Sequence, residues 1–242
     1  NSSGMVGKNL MFNGWSSAEG IFDQPVNGYK SIPTTRVIHD FYSIDPSFGF
    51  YGGGGIDSRH PSDGLPMRSA LDSGRFGGPR WGSEYKRLVR EEFTHTAAFH
   101  GHSTSLPLAS NTVTLDETLK DRWGRSALCC TYKDHPDDIA TAKFFQDRSV
   151  ELLEAAGAKK INRTPVVEQE SNVHLLGTCR MGDDPENSVV DRYNRSHDVS
   201  NLFMCDGSSL VTSGRGQPTM TIMALAFRTA DYIIQASKRN EI

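Results

Sequence analysis

The stretch "TSGRGQPTMTIMALAFRTADYII", residues 212–234, constrains this chain more than any other. Pro218 suits a first helical position, where a missing N–H is no loss, and Ile222, Leu225, Ala226, Ile233 and Ile234 follow at helical spacing. The helix is therefore predicted to begin at 218 or 219. The upstream run "NLFMCDGSSL" reads as a strand feeding the glycine turn. Such a strand–turn–helix aims free amides and a positive dipole end at one point, which suits an anion. Yet "GRGQPT" is one residue short of G-x-G-x-x-G, and no strand follows the helix. Alone, then, this is not a dinucleotide-binding unit, and an ordinary strand–turn–helix accounts for it equally well.

Composition narrows the rest. The 242 residues are 36% hydrophobic and 23% charged, enough for one large domain or two modest ones with a real core. A net charge of −3 and no basic run longer than "SKR" argue against a nucleic-acid partner. No apolar stretch reaches the roughly 18–20 residues of a spanning helix. The cysteines at 129, 130, 179 and 205 form no C-x-x-C pair and read as buried apolar side chains.

Residues 1–82 alternate turn clusters, such as "FYGGGGIDSRHPSDG" and "RFGGPRWGS", with short strands such as "TRVIHDFYSI". "SEYKRLVREEFTHTAAF" has helical spacing, with Tyr85, Leu88, Val89 and Phe93 on one face. "HTAAFHGHS" reads as a solvated loop, whose H-x-H would splay its rings to opposite faces if extended. "NTVTLDETLKDRWGRSALCCTYKD" alternates as two strands about a turn at "DRWG". The clearest helix of the first two thirds is "HPDDIATAKFFQDRSVELLEAAGA", with Pro136 at its start, two acids in its first turn and Gly157 as its stop.

The chemistry concentrates in "SNVHLLGTCRMGDDPENSVVD", residues 171–191. His174, Cys179, Asp183 and Asp184 match no common metal-ligand spacing. A serine hydrolase needs a G-x-S-x-G elbow, and "GHSTS" at 101–105 lacks its last glycine. General-base work remains for His174, since an imidazole can accept a hydroxyl proton near neutral pH.

"HLLGTCRMGDDPENSVVD" followed by "NLFMCDGSSLVTSGRGQPTMTIMALAFRTADYI" resembles the C-terminal portion of the glucose–methanol–choline (GMC) oxidoreductases, FAD-dependent oxidisers of alcohols and sugars. "NSSGMVGKNLMF", "FYGGGGIDSR" and "LKDRWGRSALCCTYKDHPDD" resemble the sugar-oxidising branch, which includes pyranose oxidase, gluconate dehydrogenase-like and glucoside 3-dehydrogenase-like proteins. The resemblance implies that His174 is the base that takes the hydroxyl proton while hydride passes to flavin N5, a role worth roughly 10²–10⁴-fold. It places Asp206 and Gly207 against the FAD phosphates and ribityl chain, and Pro218, Thr219 and Met220 at the pyrimidine end of the flavin. A helix start there would stabilise charge on the reduced ring. Where the sugar-oxidising branch commonly has Asn before "PT", this chain has Gln217, whose longer amide is expected to orient substrate rather than move protons.

The implied fold class is α+β. A substrate domain with a mostly antiparallel β-sheet backed by helices is joined to a C-terminal strand–turn–helix that completes an α/β FAD-binding domain supplied by another segment. The expected division is 1–13 as the end of an FAD-domain segment, 14–197 as the substrate-binding domain with its catalytic loop at 171–191, and 198–242 as the returning strand and helix. No G-x-G-x-x-G occurs in residues 1–170, so the ADP half of FAD is expected to be held by an N-terminal segment of the same enzyme or by a separate subunit. The other expected partners are a sugar or glycoside substrate and an electron-acceptor or small subunit. Apolar surface made for the missing sheet should stand exposed. The alternative is a non-catalytic carbohydrate-binding or interaction module with the same fold.

Overall fold

The structure, a computed structural model, describes residues 1–30, 32, 34–61, 65–71, 77–168 and 173–242. The first two residues of the 171–191 loop and parts of the turn clusters, at 62–64 and 72–76, lie outside the described residues. In chain order the elements are β1 (Gly14–Ile21), β2 (Thr34–Ile38), β3 (Gly54–Arg59), α1 (Pro66–Leu71), α2 (Gly82–His95), β4 (Thr96–Ser103), β5 (Thr112–Lys120), β6 (Ser126–Thr131), α3 (Pro136–Ala155), β7 (Lys160–Arg163) and α4 (Thr219–Lys238). The chain divides into two compact units: residues 14–103 with 139–167, and residues 1–13, 104–138 and 168–242.

The first of these, the sheet unit, is built on five antiparallel strands in the order β2-β3-β4-β1-β7. Ala18, Phe22, Val150 and Leu153 form its apolar cluster, joining the strands to α3. Glycines let the helix come close: a Cβ on Gly101 would stand 2.5 Å from Phe145 Cβ, and one on Gly20 would stand 2.9 Å from Leu153 Cδ2. Strand alternation turns Trp15, Asp57, Arg59, His100 and His102 to the other face. This corrects two expectations for "HTAAFHGHS". It is a buried strand rather than a solvated loop, because α2 stops at His95 and the β-branched, small and aromatic residues after it pair on both edges. His100 and His102 share one face, as residues two apart in a strand must, and both rings touch Trp15, with centroids at 4.5 and 4.8 Å.

The second unit carries little regular structure. β5 and β6 form the expected hairpin, with Leu115 opposite Leu128 and the turn closed from Gly124 N–H to Asp121 O at 3.0 Å. Cys129 and Cys130 stand exposed on this two-stranded ribbon, Cys205 is exposed and Cys179 half-buried, so the cysteines are not the buried side chains expected. A two-stranded ribbon has no covering layer to bury them. The helix α4 begins at Thr219, as predicted, and is anchored by its buried Thr229. The Thr229 hydroxyl donates to Tyr193 O at 3.0 Å and accepts from Asn194 Nδ2 at 3.1 Å, while Tyr193 stacks on Tyr232 at 4.3 Å. Its other flank shows Met220, Met223, Phe227 and Ile234, all substantially exposed. The predicted strand at 201–210 is an extended run with a single bridge, Phe203 to Arg195, before a short 3₁₀ turn at Gly207–Ser209. A strand exists only by its pairing, and the described residues supply no more.

Candidate active site

The loop that carries His174 lies between two other segments of the same unit, held by backbone hydrogen bonds rather than by side chains. On one side, Met11 and Leu176 exchange a pair of bonds at 3.0 Å, Gly7 N–H donates to Thr178 O at 2.8 Å, and Asn13 N–H donates to Val173 O at 3.3 Å. On the other, Gly177, Cys179 and Met181 donate to Gly207, Ser208 and Ser209 at 3.3, 2.8 and 2.9 Å. The loop is the middle member of a three-segment ladder. Close packing explains its glycines. Gly177 has φ 92°, and a Cβ there would fall 2.1 Å from Asn9 O; a Cβ on Gly207 would fall 2.6 Å from Leu176 Cδ2.

His174 itself is half-buried and takes φ 63°, a left-handed conformation that costs a non-glycine residue about 1–2 kcal/mol. Bonds on both sides of it, to Asn13 and Met11, hold that conformation. Of the acids in the loop, Asp183 pairs with Arg192 at 2.8 Å, and Asp184 accepts from Glu186 N–H at 2.9 Å and Asn187 Nδ2 at 2.6 Å. Both are committed to local turns. Burial raises the Cys179 thiol pKa, so it stays protonated at neutral pH. Among the described residues no group of three or more His, Cys, Asp or Glu side chains could hold a metal ion.

The residues expected to approach the cofactor fall around this ladder. The Asp206 carboxylate accepts from Ser208 N–H at 2.8 Å and caps the turn that contains Gly207, so both sit one strand-width from the His174 loop. Pro218 is buried, Thr219 and Met220 are exposed, and no side chain caps the start of α4. The amides of that first turn therefore face outward with the helix dipole behind them. Gln217 is exposed, and the residue before it is tied back: Gly216 O accepts from Asn13 Nδ2 at 3.1 Å. The opening of the glycine loop is tied as well. Ser213 Oγ accepts from Ser105 N–H at 2.5 Å, and Ser105 Oγ donates to the buried Asp138 at 2.9 Å.

Sequence reasoning found neither Asn13 nor the Asp138–Ser105–Ser213 chain. Asn13 lies in "LMFNGW", where a single polar residue among apolar neighbours was the available signal.

Residues 107–226 match the GMC oxidoreductase family. The chain carries the C-terminal domain of a GMC oxidoreductase. It is 37% identical over 235 residues to 2-methyl-1,2-propanediol dehydrogenase of Mycolicibacterium austroafricanum, covering 96% of this chain and 42% of that protein. It is 28% identical to the gluconate 2-dehydrogenase flavoprotein of Pantoea cypripedii, over 99% of this chain and 40% of that one. Among solved structures, pyridoxine 4-oxidase from Mesorbium loti superposes with a TM-score of 0.53 at 16% identity, over 94% of this chain and 43% of the other. The chain thus spans about two fifths of the length of these proteins. No helix among the described residues is long and apolar enough to cross a membrane.

Proposed function

We propose that the full-length protein is an FAD-dependent oxidoreductase that converts a CH–OH group of a sugar or sugar derivative to a carbonyl, with His174 as the base. The ladder carries this reading: it holds the His174 loop against the Asp206–Gly207 turn, and Asn13 joins that loop to the one bearing Gln217. The residues present fit a flavin. Gly207 admits no side chain, the exposed start of α4 offers amides to an electron-rich ring edge, and Thr219 and Met220 would hold that edge. FAD bound there supplies the hydride acceptor. His174 takes the hydroxyl proton as the carbon loses its hydride, and Gln217 donates from its amide to the substrate oxygen. The exposed Met220, Met223 and Phe227 are a surface for the remaining FAD-binding segment, and residues 198–242 are assigned to that domain. Residues 14–197 are assigned to the substrate side.

One observation favours a second substrate class. The relative at 37% identity is named for a small diol rather than a sugar, so a branched 1,2-diol belongs beside sugars in the same panel. The test is flavin bleaching in the purified full-length protein, scanned over both classes, with His174→Ala as control. Substrate-dependent bleaching that the variant loses supports the proposal. Protein without flavin that still binds carbohydrate would replace it with the non-catalytic module.

A further inference from the structure

We propose that Asn13 is a positioning residue that fixes the separation of His174 and Gln217, an inference that rests on the oxidoreductase reading above. Its backbone N–H donates to Val173 O at 3.3 Å, and its side-chain Nδ2 donates to Gly216 O at 3.1 Å. Each acceptor belongs to the residue immediately before a reacting residue, so one asparagine grips two loops that are 43 positions apart, each a single peptide unit, ~3.8 Å, from its active residue. Both loops need such a grip. His174 holds a left-handed backbone, and the Gln217 loop, anchored at its opening by Ser213 and Ser105, contains Gly214 at φ 72° and Gly216 beyond that anchor.

The choice of asparagine follows from the geometry. The residue is 3% exposed, so its amide works in a dry setting where a hydrogen bond is not exchanged for water. Aspartate would set a carboxylate against the Gly216 carbonyl, serine would be too short to reach it, and leucine has the right size without the donor. Asn13 acts by holding two groups at reacting distance, where a displacement of about 1 Å costs on the order of 10²-fold in rate.

The test uses the full-length, flavin-loaded enzyme with Asn13→Leu. Four results are expected: kcat falls 10- to 100-fold with KM changed less than threefold, the deuterium isotope effect on kcat rises, flavin content stays equal to wild type, and the Asn13→Leu/Gln217→Ala double variant is no slower than Gln217→Ala alone. Amide hydrogen exchange supplies a readout apart from activity: peptides spanning 213–217 should exchange faster, because only the side-chain bond to Gly216 is lost, while 173–178, still held by the backbone N–H of residue 13, and β1, β3 and β4 do not change. Should Asn13→Leu lose flavin or fail to fold, Asn13→Ser takes its place with the same expectations. A kcat within twofold of wild type, unchanged exchange at 213–217, or loosening spread evenly over the chain would overturn the proposal. A His174→Ala variant that turns over normally would remove His174 as the base, and protein without flavin would sink the oxidoreductase reading; in either case the exchange at 213–217 would still decide whether Asn13 holds that loop.

Discussion

Each unit of the molecule has one buried aspartate among its described residues, and the two are held in opposite ways. In the sheet unit, Asp57 receives Arg59 through two bonds at 2.7 and 2.8 Å and His102 Nε2 at 3.0 Å. Burial pushes its pKa up, but hydrogen bonds from His102 and Arg59 outweigh that and hold it at about 2. In the other unit, Asp138 at the first turn of α3 meets neutral donors among the described residues: Ser105 Oγ at 2.9 Å, Leu106 N–H at 3.0 Å and His135 N–H at 3.2 Å. Burial there wins over those bonds, with Asp134 adding a like charge, and the carboxyl is raised to about 6. The regular sheet buries charge that is compensated on the spot, and what it secures is stability. The irregular unit buries a strained backbone and a titrating acid, and what it secures is the placement of His174 and Gln217.

The sharpest way to break this division is to change one residue on each side and ask whether rate and stability separate. His174→Ala should lower kcat 10²–10⁴-fold, about 3–5 kcal/mol of barrier, and leave the thermal unfolding midpoint within a degree or two, because the side chain is half-buried and its loop is held by backbone. Stopped-flow flavin reduction and calorimetry on the same sample check it. A midpoint lowered as much as the rate would erase the distinction.

Asp57→Ala should do the reverse. It strands Arg59 and His102 on a buried face, with side chains 17% and 6% exposed, and should cost about 3–5 kcal/mol of stability. Urea titration measures this, and kcat of the folded fraction should stay within a few-fold of wild type.

The acids then predict two separate pH windows. Asp138 binds its proton more tightly folded than unfolded, so its contribution to stability is full below about pH 4 and is lost as pH rises through about 6. Asp57 runs the other way: its contribution is full above about pH 4 and is lost as pH falls toward 2. Asp138→Asn should flatten the unfolding midpoint between pH 4 and 6, removing a dependence of roughly 2–3 kcal/mol, while the fall below pH 4 remains. Unchanged dependence between pH 4 and 6 would show that Asp138 is not the titrating group.

The same division sets what could be read from the sequence. The helices α3 and α4 and the hairpin β5–β6 were legible because their signals are local: apolar spacing, Pro136 and Pro218 at helix starts, a glycine in the turn. β1 and β3 were not, because "GWSSAEGI" and "GGIDSR" are strands by partnership, with glycine where α3 approaches or strands cross. His174 and Gln217 were reached through the family resemblance. The ladder of 7–13, 173–181 and 207–209 was beyond reach, since irregular backbone pairing between segments distant in sequence leaves no mark on side-chain pattern. Asn13 showed only as a lone polar residue among apolar neighbours, and its two carbonyl partners, Val173 and Gly216, carry no side-chain signal of the contact.

The smallest effect is also the most informative about specificity. Gln217→Asn restores the amide length common in the sugar-oxidising branch while Gly216 stays tied to Asn13, so only the reach of the amide changes, by about one methylene or ~1.5 Å. A shift in kcat/KM of up to about tenfold, or 1.4 kcal/mol, is expected, with its sign depending on substrate class: improved for ring sugars, worsened for a branched 1,2-diol. If kcat and kcat/KM move together, the amide acts on the developing oxyanion; if KM alone moves, it acts on ground-state binding. Equal changes for both substrate classes would mean that the extra methylene does not select substrate, and the search for what does would pass to the polar face of Trp15, Arg59 and His102 on the sheet.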